Sequence, residues 1–474
     1  MGINADGHPL VADAKNVVTR LHATGEVVHS RVGDKPPVAP VAAPVVEEEP
    51  PAKGGKKAKP APKVVKRGMP EPKPAPVVVP LPRPAVIVAE KVKVPRPIEL
   101  HNWTGTDLGE YLRGESARFA GVAGPAELAT LGTSYGYGWY RITNRGGSAG
   151  RVEMTFPEGG DRLALFVDGK AAGIIGHGPG ASRNVSVSLK KKDQTIVILA
   201  ENAGRFSGGA HMIDLKGCVG HAWEVADARG VTKPTLAQGP KMNVLAHVAF
   251  APGVHDSDVT DAVRPTWTIS KRKGPLLLRI TPGAFRGLLL VNGAVVKFCD
   301  NTGPGSIVLS ADQLGKASNT IELAVLGDAT RAFKAIVDSI EMLDCVENLT
   351  ADAEWGFAKW ERPGESAFHA LRGHSHGKGP EWFKTHFAAP STSVPLYVVT
   401  TGLSKGLIQV NGRHIGRYFT QTHDGKPVGP QTELLIPASA LIASNGHANA
   451  EPNELMIFDE HGHLPSKVKL VYRG

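Results

Sequence analysis

Three stretches of this 474-residue chain read alike: Arg162-Leu-Ala-Leu-Phe-Val-Asp-Gly169, Arg286-Gly-Leu-Leu-Leu-Val-Asn-Gly293 and Lys405-Gly-Leu-Ile-Gln-Val-Asn-Gly412. Each is a basic residue, an apolar run and an Asp-Gly or Asn-Gly pair. Asn, Asp and Gly tolerate the positive φ angles of a tight turn, so each copy predicts a strand entering a hairpin. The copies lie a domain's length apart, which implies three β-domains of similar build.

The flanking sequence supports the same order three times. The first copy follows Gly138-Trp-Tyr-Arg-Ile-Thr and Gly150-Arg-Val-Glu-Met-Thr-Phe and precedes Gln194-Thr-Ile-Val-Ile-Leu-Ala. The second lies between Pro275-Leu-Leu-Leu-Arg-Ile and Asn319-Thr-Ile-Glu-Leu-Ala-Val-Leu; the third, between Val394-Pro-Leu-Tyr-Val-Val-Thr and Asn453-Glu-Leu-Met-Ile-Phe. Short strands separated by turn signals at this spacing predict an all-β chain of tandem jelly-roll β-sandwiches. The expected domains are 99–230, 231–347 and 348–474.

Ahead of them the composition changes. Residues 1–32 read as a β-hairpin fragment, with Ala14-Lys-Asn-Val-Val-Thr-Arg-Leu and Gly25-Glu-Val-Val-His-Ser-Arg as its arms. Residues 33–98 carry 17 of the 37 prolines, mixed with Ala, Val and Lys. That density forbids helix and central strand and predicts a disordered, extended Pro/Ala/Lys-rich spacer. Residues 51–99 hold 12 Lys and Arg against 3 Asp and Glu, whereas 100–474 carries a net charge of only +3. The basic excess therefore sits in the spacer, and the globular part lacks the composition of a nucleic-acid-binding domain.

Cys218, Cys299 and Cys345 are far apart and form no Cys-x-x-Cys pair, so they are expected as buried free thiols. No apolar run is long enough to span a membrane, and the N-terminus lacks a signal-peptide pattern, leaving localisation open. His374 and His376 form a His-x-His pair with no carboxylate or cysteine near it, and no metal or other cofactor is expected. No nucleophile elbow, phosphate-binding loop or zinc-protease motif occurs. Glu158 with Asp161, and Glu201, are the nearest candidates for a carboxylate pair, but sequence alone aligns none of them across a cleft.

Aromatic rings stack on the apolar faces of sugars while polar groups bond the hydroxyls. Two clusters suit that task. One is Tyr135-Gly-Tyr-Gly-Trp-Tyr140, whose alternation places Tyr135, Tyr137 and Trp139 on one side of a strand. The other holds Trp355, Trp360, Trp382 and Tyr418 with Asn411, Arg417 and Gln431. The expected ligand-binding set is Tyr137, Trp139, Trp382, Asn411, Arg417 and Tyr418.

Several segments together resemble a known family. Glu381-Trp-Phe-Lys-Thr-His-Phe, Leu403-Ser-Lys-Gly-Leu-Ile-Gln-Val-Asn-Gly-Arg-His-Ile-Gly-Arg-Tyr418, Gly429-Pro-Gln-Thr and Asn453-Glu-Leu occur in the order found in the C-terminal jelly roll of family thirty-five β-galactosidases. Phe383 and Phe419 stand where that pattern has Tyr and Trp. Tyr137-Gly-Trp-Tyr-Arg, Ala164-Leu-Phe-Val-Asp-Gly-Lys and Ile198-Leu-Ala-Glu-Asn-Ala-Gly-Arg-Phe are similar to a galactose-binding-like domain of the same enzymes. The resemblance implies galactose-binding-like sandwiches, and a galactose-containing glycan or a catalytic glycosidase chain as partner. In the family, two glutamates on a (β/α)₈ barrel perform catalysis. This chain shows no repeated strand–helix pattern, so no catalytic residue is carried over. The expected function is a non-catalytic accessory portion that binds carbohydrate or docks on a catalytic subunit. Two rivals are a β-galactosidase whose barrel is separate or missing, and a scaffolding protein with a basic interaction tail.

Overall fold

The computed structural model describes four strands within residues 2–31, and residues 94–473 apart from 145–148, 191–192, 206–213, 301–304, 372–378, 389, 391–392, 430 and 443–450. Residues 33–93 of the Pro-rich spacer and the His374/His376 pair lie outside the described residues. The chain divides into two units, Met1–Val86 and Ile87–Gly474. In the first, the expected hairpin is present as Val17–Leu21 paired with Val27–Arg31, and two further strands extend it to an antiparallel four-stranded sheet.

Among the described residues, the second unit holds five sheets. The three quoted repeats form strands Arg162–Val167, Gly287–Val291 and Lys405–Val410, each hairpinned to the next strand. Asp168, Asn292 and Asn411 have φ of 48°, 51° and 49°, and the glycine after each is also positive. Positive φ at both turn residues matches the right-handed twist of the flanking strands. Each hairpin also has a register shift between its fourth and fifth residues: Leu165/Phe166, Leu289/Leu290 and Ile408/Gln409. The repeat therefore specifies a bulged hairpin, three times over.

One six-stranded sheet runs through two sandwiches. Its strands Val185–Leu189, Gly150–Thr155 and Trp223–Asp227 continue into Ile340–Asn348, Leu276–Ile280 and Gly305–Leu309. The first half packs on the sheet that contains Arg162–Val167 and Gly136–Asn144, burying Met154, Leu163 and Ile198. The second half packs on the sheet that contains Gly287–Val291, burying Leu278, Leu289 and Ile321. A helix absent from the sequence reading, Ala329–Ser339, closes this second core. Its N-terminal Asp328 accepts a hydrogen bond from the Arg331 amide at 2.9 Å, and Ile336 is its buried anchor.

Strand pairing crosses the linear boundaries at 230 and 347. Glu354–Lys359 pairs with Gly136–Asn144, so Trp355 and Phe357 fill the first core. Thr104–Gly105 pairs with Glu381–Phe387, and Ile98–Glu99 with Lys469–Tyr472, so the chain's earliest globular strands belong to the third sandwich. The middle sandwich is an excursion between strands of its neighbours.

Candidate functional site

The six residues expected to bind ligand are engaged inside the protein. Alternation along Gly136–Asn144 sends Tyr140 and Ile142 into the first core and Tyr137 and Trp139 to the opposite face. That face is covered by the third sandwich. Tyr137, Trp139, Phe166, Val197 and Leu199 meet Trp382, Leu407, Met456 and Phe458 in one buried cluster. Trp382 stacks on Trp360 at a centroid distance of 4.7 Å, and Tyr137 lies 5.0 Å from Phe458. Tyr137, Trp139 and Trp382 are each at most 2% exposed. These rings, expected to stack on sugar, join two sandwiches, because both sheets are apolar on both faces. The uninterrupted runs Ile196-Val-Ile-Leu and Leu455-Met-Ile-Phe are the sequence signal for that double burial.

Tyr418, Asn411 and Arg417, also expected as ligand contacts, bond to the protein's own groups. Tyr418 is buried in the third core and donates its hydroxyl to the Phe458 carbonyl at 2.9 Å. Asn411 donates to the Ala440 carbonyl at 2.8 Å and to Asn453 Oδ1 at 2.7 Å, and its Oδ1 accepts from the Glu454 amide at 2.8 Å. The equivalent Asn292 bonds Asn319 and the Thr320 amide, so this side chain ties each hairpin to the strand that closes its sheet. Arg417 spends all three guanidinium nitrogens on the first sandwich: Nε on Tyr135 Oη at 2.8 Å, Nη1 on Glu201 at 2.9 Å and Nη2 on the Asn202 carbonyl.

Arg417 belongs to a charged network beside the aromatic seam. Buried Lys405 lies 2.6 Å from Glu201 and also pairs with Glu460, which accepts the Tyr137 hydroxyl proton at 2.7 Å. Burial, then the Glu460 and Glu201 charges, hold the Tyr137 phenol well above its ordinary range. Phe419 lies beside the same cations, its ring 5.3 Å from the Arg162 guanidinium and 5.5 Å from Lys405 Nζ. Glu201 is thus clamped by Lys405 and Arg417, and Glu460 by Lys405.

A cleft of about 640 Å³ opens where the first and second sandwiches meet. The first sandwich supplies the loop Phe156–Asp161, Ile175–His177, Arg183 and Ala203–Arg205; the second supplies Arg279, Lys297, Gly305 and Ser306. Glu158 and Asp161, the carboxylates singled out in the sequence, both line it. Asp161 is bound by Lys216 Nζ at 2.6 Å and by the Ala203 amide at 2.8 Å. Arg279, buried on the shared sheet, donates to Thr155 Oγ1 at 3.0 Å and to the Arg183 carbonyl at 2.9 Å. Arg183 and Lys297 were not legible as site residues, because their convergence depends on the packing of two sandwiches. Among the described residues no cluster of three or more His, Cys, Asp or Glu is arranged to hold a metal, and no helix is long and apolar enough to cross a membrane.

Two segments match known protein families. Residues 125–227 match the β-galactosidase first all-beta domain, and residues 380–446 match the β-galactosidase galactose-binding domain. Both are domain families of β-galactosidases. It is 32% identical over 92 residues to Beta-galactosidase 11 of Oryza sativa subsp. japonica, which is 19% of this chain and 10% of that protein. It is 30% identical over 122 residues to Beta-galactosidase 13 of Arabidopsis thaliana, covering 24% of this chain and 14% of that protein. The chain thus spans a small fraction of the length of these relatives. A Bacteroides uniformis β-glucuronidase structure aligns with 61% of this chain and 30% of its own at 10% identity, with a TM-score of 0.20, too loose to support inference. The matched β-galactosidase segments are the first and third sandwiches, the two that the aromatic seam joins.

Proposed function

We propose that this chain is a non-catalytic accessory portion of a β-galactosidase-like glycoside hydrolase, contacting galactose-containing glycan on behalf of a catalytic unit. The observation that carries the proposal is the pairing of a first all-beta domain and a galactose-binding domain in one chain, locked together by a buried seam. Glycoside hydrolysis requires two carboxylates facing each other across the bond to be cut, one of them protonated. Here Asp161 is neutralised by Lys216, while Glu201 and Glu460 share Lys405 in the interior. The charges of these groups hold the structure together rather than move protons.

The purified full chain, assayed with a nitrophenyl β-galactoside, is expected to show no turnover. Activity that co-purifies with the chain through successive columns would overturn the non-catalytic reading. Calorimetry with galactose oligosaccharides is expected to show weak binding. A flat titration would leave docking on a catalytic chain as the role.

A further inference from the structure

The cleft between the first two sandwiches is lined by five Arg and Lys side chains and by three carboxylates, Glu158, Asp161 and Asp214. Three of its cations have acidic partners: Lys216 has Asp161 at 2.6 Å, Arg205 has Glu127, and Arg279 has Glu341 at 3.3 Å. Arg183 and Lys297 pair with no carboxylate among the described residues. Arg183 Nη2 donates only to the Gly305 carbonyl, at 2.9 Å. Its side chain is partly buried. Burial first, and Arg279 second, lower the Arg183 pKa against the weaker opposing charge of Glu341. A half-buried guanidinium without a carboxylate partner is costly unless an anion joins it. A planar fork and a lysine lining one cleft are suited to a carboxylate or sulfate oxygen pair. The same cleft offers Glu158 as an acceptor for hydroxyl groups, and Gly159, Gly160, Gly204 and Gly305 let a ligand approach the backbone closely.

We infer that this cleft binds an anionic glycan, with Arg183 and Lys297 holding its carboxylate or sulfate group and Glu158 accepting from its hydroxyls. The inference rests on the accessory-module reading and adds a site in the first two sandwiches, apart from the segment that matches a galactose-binding domain.

The test is calorimetry on the full chain at low and at moderate salt with three probes: a neutral β-galactobiose, a galacturonate disaccharide and galactose 6-sulfate. At least one anionic probe should bind tenfold or more tightly than the neutral one, and salt should weaken it. The carboxylate and sulfate arms show which group the site prefers. Arg183→Gln and Lys297→Ala should each weaken the anionic probe at least fivefold and leave the neutral one unchanged. Lys297 is exposed, so its variant retains the parent's melting temperature and decides the matter if Arg183→Gln does not fold. Equal affinity for neutral and anionic probes would overturn the inference while leaving the accessory role intact. Binding of neither probe would overturn it too, and turnover of the nitrophenyl galactoside separately tests the accessory reading.

Discussion

Replacing Trp382 with alanine separates the two roles an aromatic residue can play in this protein. The ring is 1% exposed, stacked on Trp360 at 4.7 Å and 5.2 Å from Phe458. A buried indole removes about 150–250 Å² from water. At roughly 25 cal/mol per Å² that is worth about 4–6 kcal/mol as a ceiling. Residual burial in the unfolded chain and partial collapse of the hole reduce it, so Trp382→Ala should cost about 3–5 kcal/mol. Trp382→Phe, which keeps most of the apolar contact, should cost well under half of that. The measurement is urea unfolding followed by far-ultraviolet circular dichroism, comparing midpoints of the transition that includes the first and third sandwiches. Any galactoside affinity of the folded fraction should be unchanged. A variant with the parent's urea midpoint but no galactoside binding would refute the argument and restore Trp382 to a sugar-contacting role.

Further expectations concern polar groups. Asn411→Ala strips the Ala440 carbonyl and Asn453 of a partner and places a Cβ-bearing residue without a side-chain amide at φ 49°, so it should cost about 2–4 kcal/mol in a thermal or urea melt. Lys405→Met leaves Glu201 and Glu460 buried without their shared cation and should cost about 3–5 kcal/mol, read as a lower melting temperature. Burial lowers the His461 pKa from its ordinary 6.5 to about 4; Asp459 opposes that, and His423 and His463 add to it. The unfolded chain then takes up this proton first, so stability should fall from about pH 6.5 to pH 4 and level off below, and His461→Gln should flatten that slope. Cys218, Cys299 and Cys345 are free and buried, with burial pushing Cys299 up to about 12 and Cys345 up to about 11. A thiol reagent at neutral pH should therefore count none in the native protein and three in denaturant.

The sequence was sufficient for whatever is local. Asp168, Asn292 and Asn411, each followed by glycine, set positive φ angles within two residues, and that alone placed three hairpins correctly. Most predicted strands appear within a residue or two of their expected places, as with Gln194–Asn202 and Asn453–Asp459. Gly406 also has a local sequence signature, but its reason is tertiary: a Cβ there would collide with the Phe458 carbonyl of the neighbouring strand in the sheet. The family resemblance was legible too, because ordered motifs survive where overall identity is low.

The face of a sheet that meets solvent was not legible, since period-two alternation divides residues between two faces without saying what covers either. Tyr137, Trp139 and Trp382 have the side chains of a sugar platform, and only the packing of the third sandwich on the first turned them into a core. Similarly, Arg183 and Lys297 are unremarkable in sequence, 114 positions apart, and become one site only because two sandwiches share a sheet. Turn geometry is written in adjacent residues, whereas burial and charge pairing depend on distance in space, which chain order does not encode.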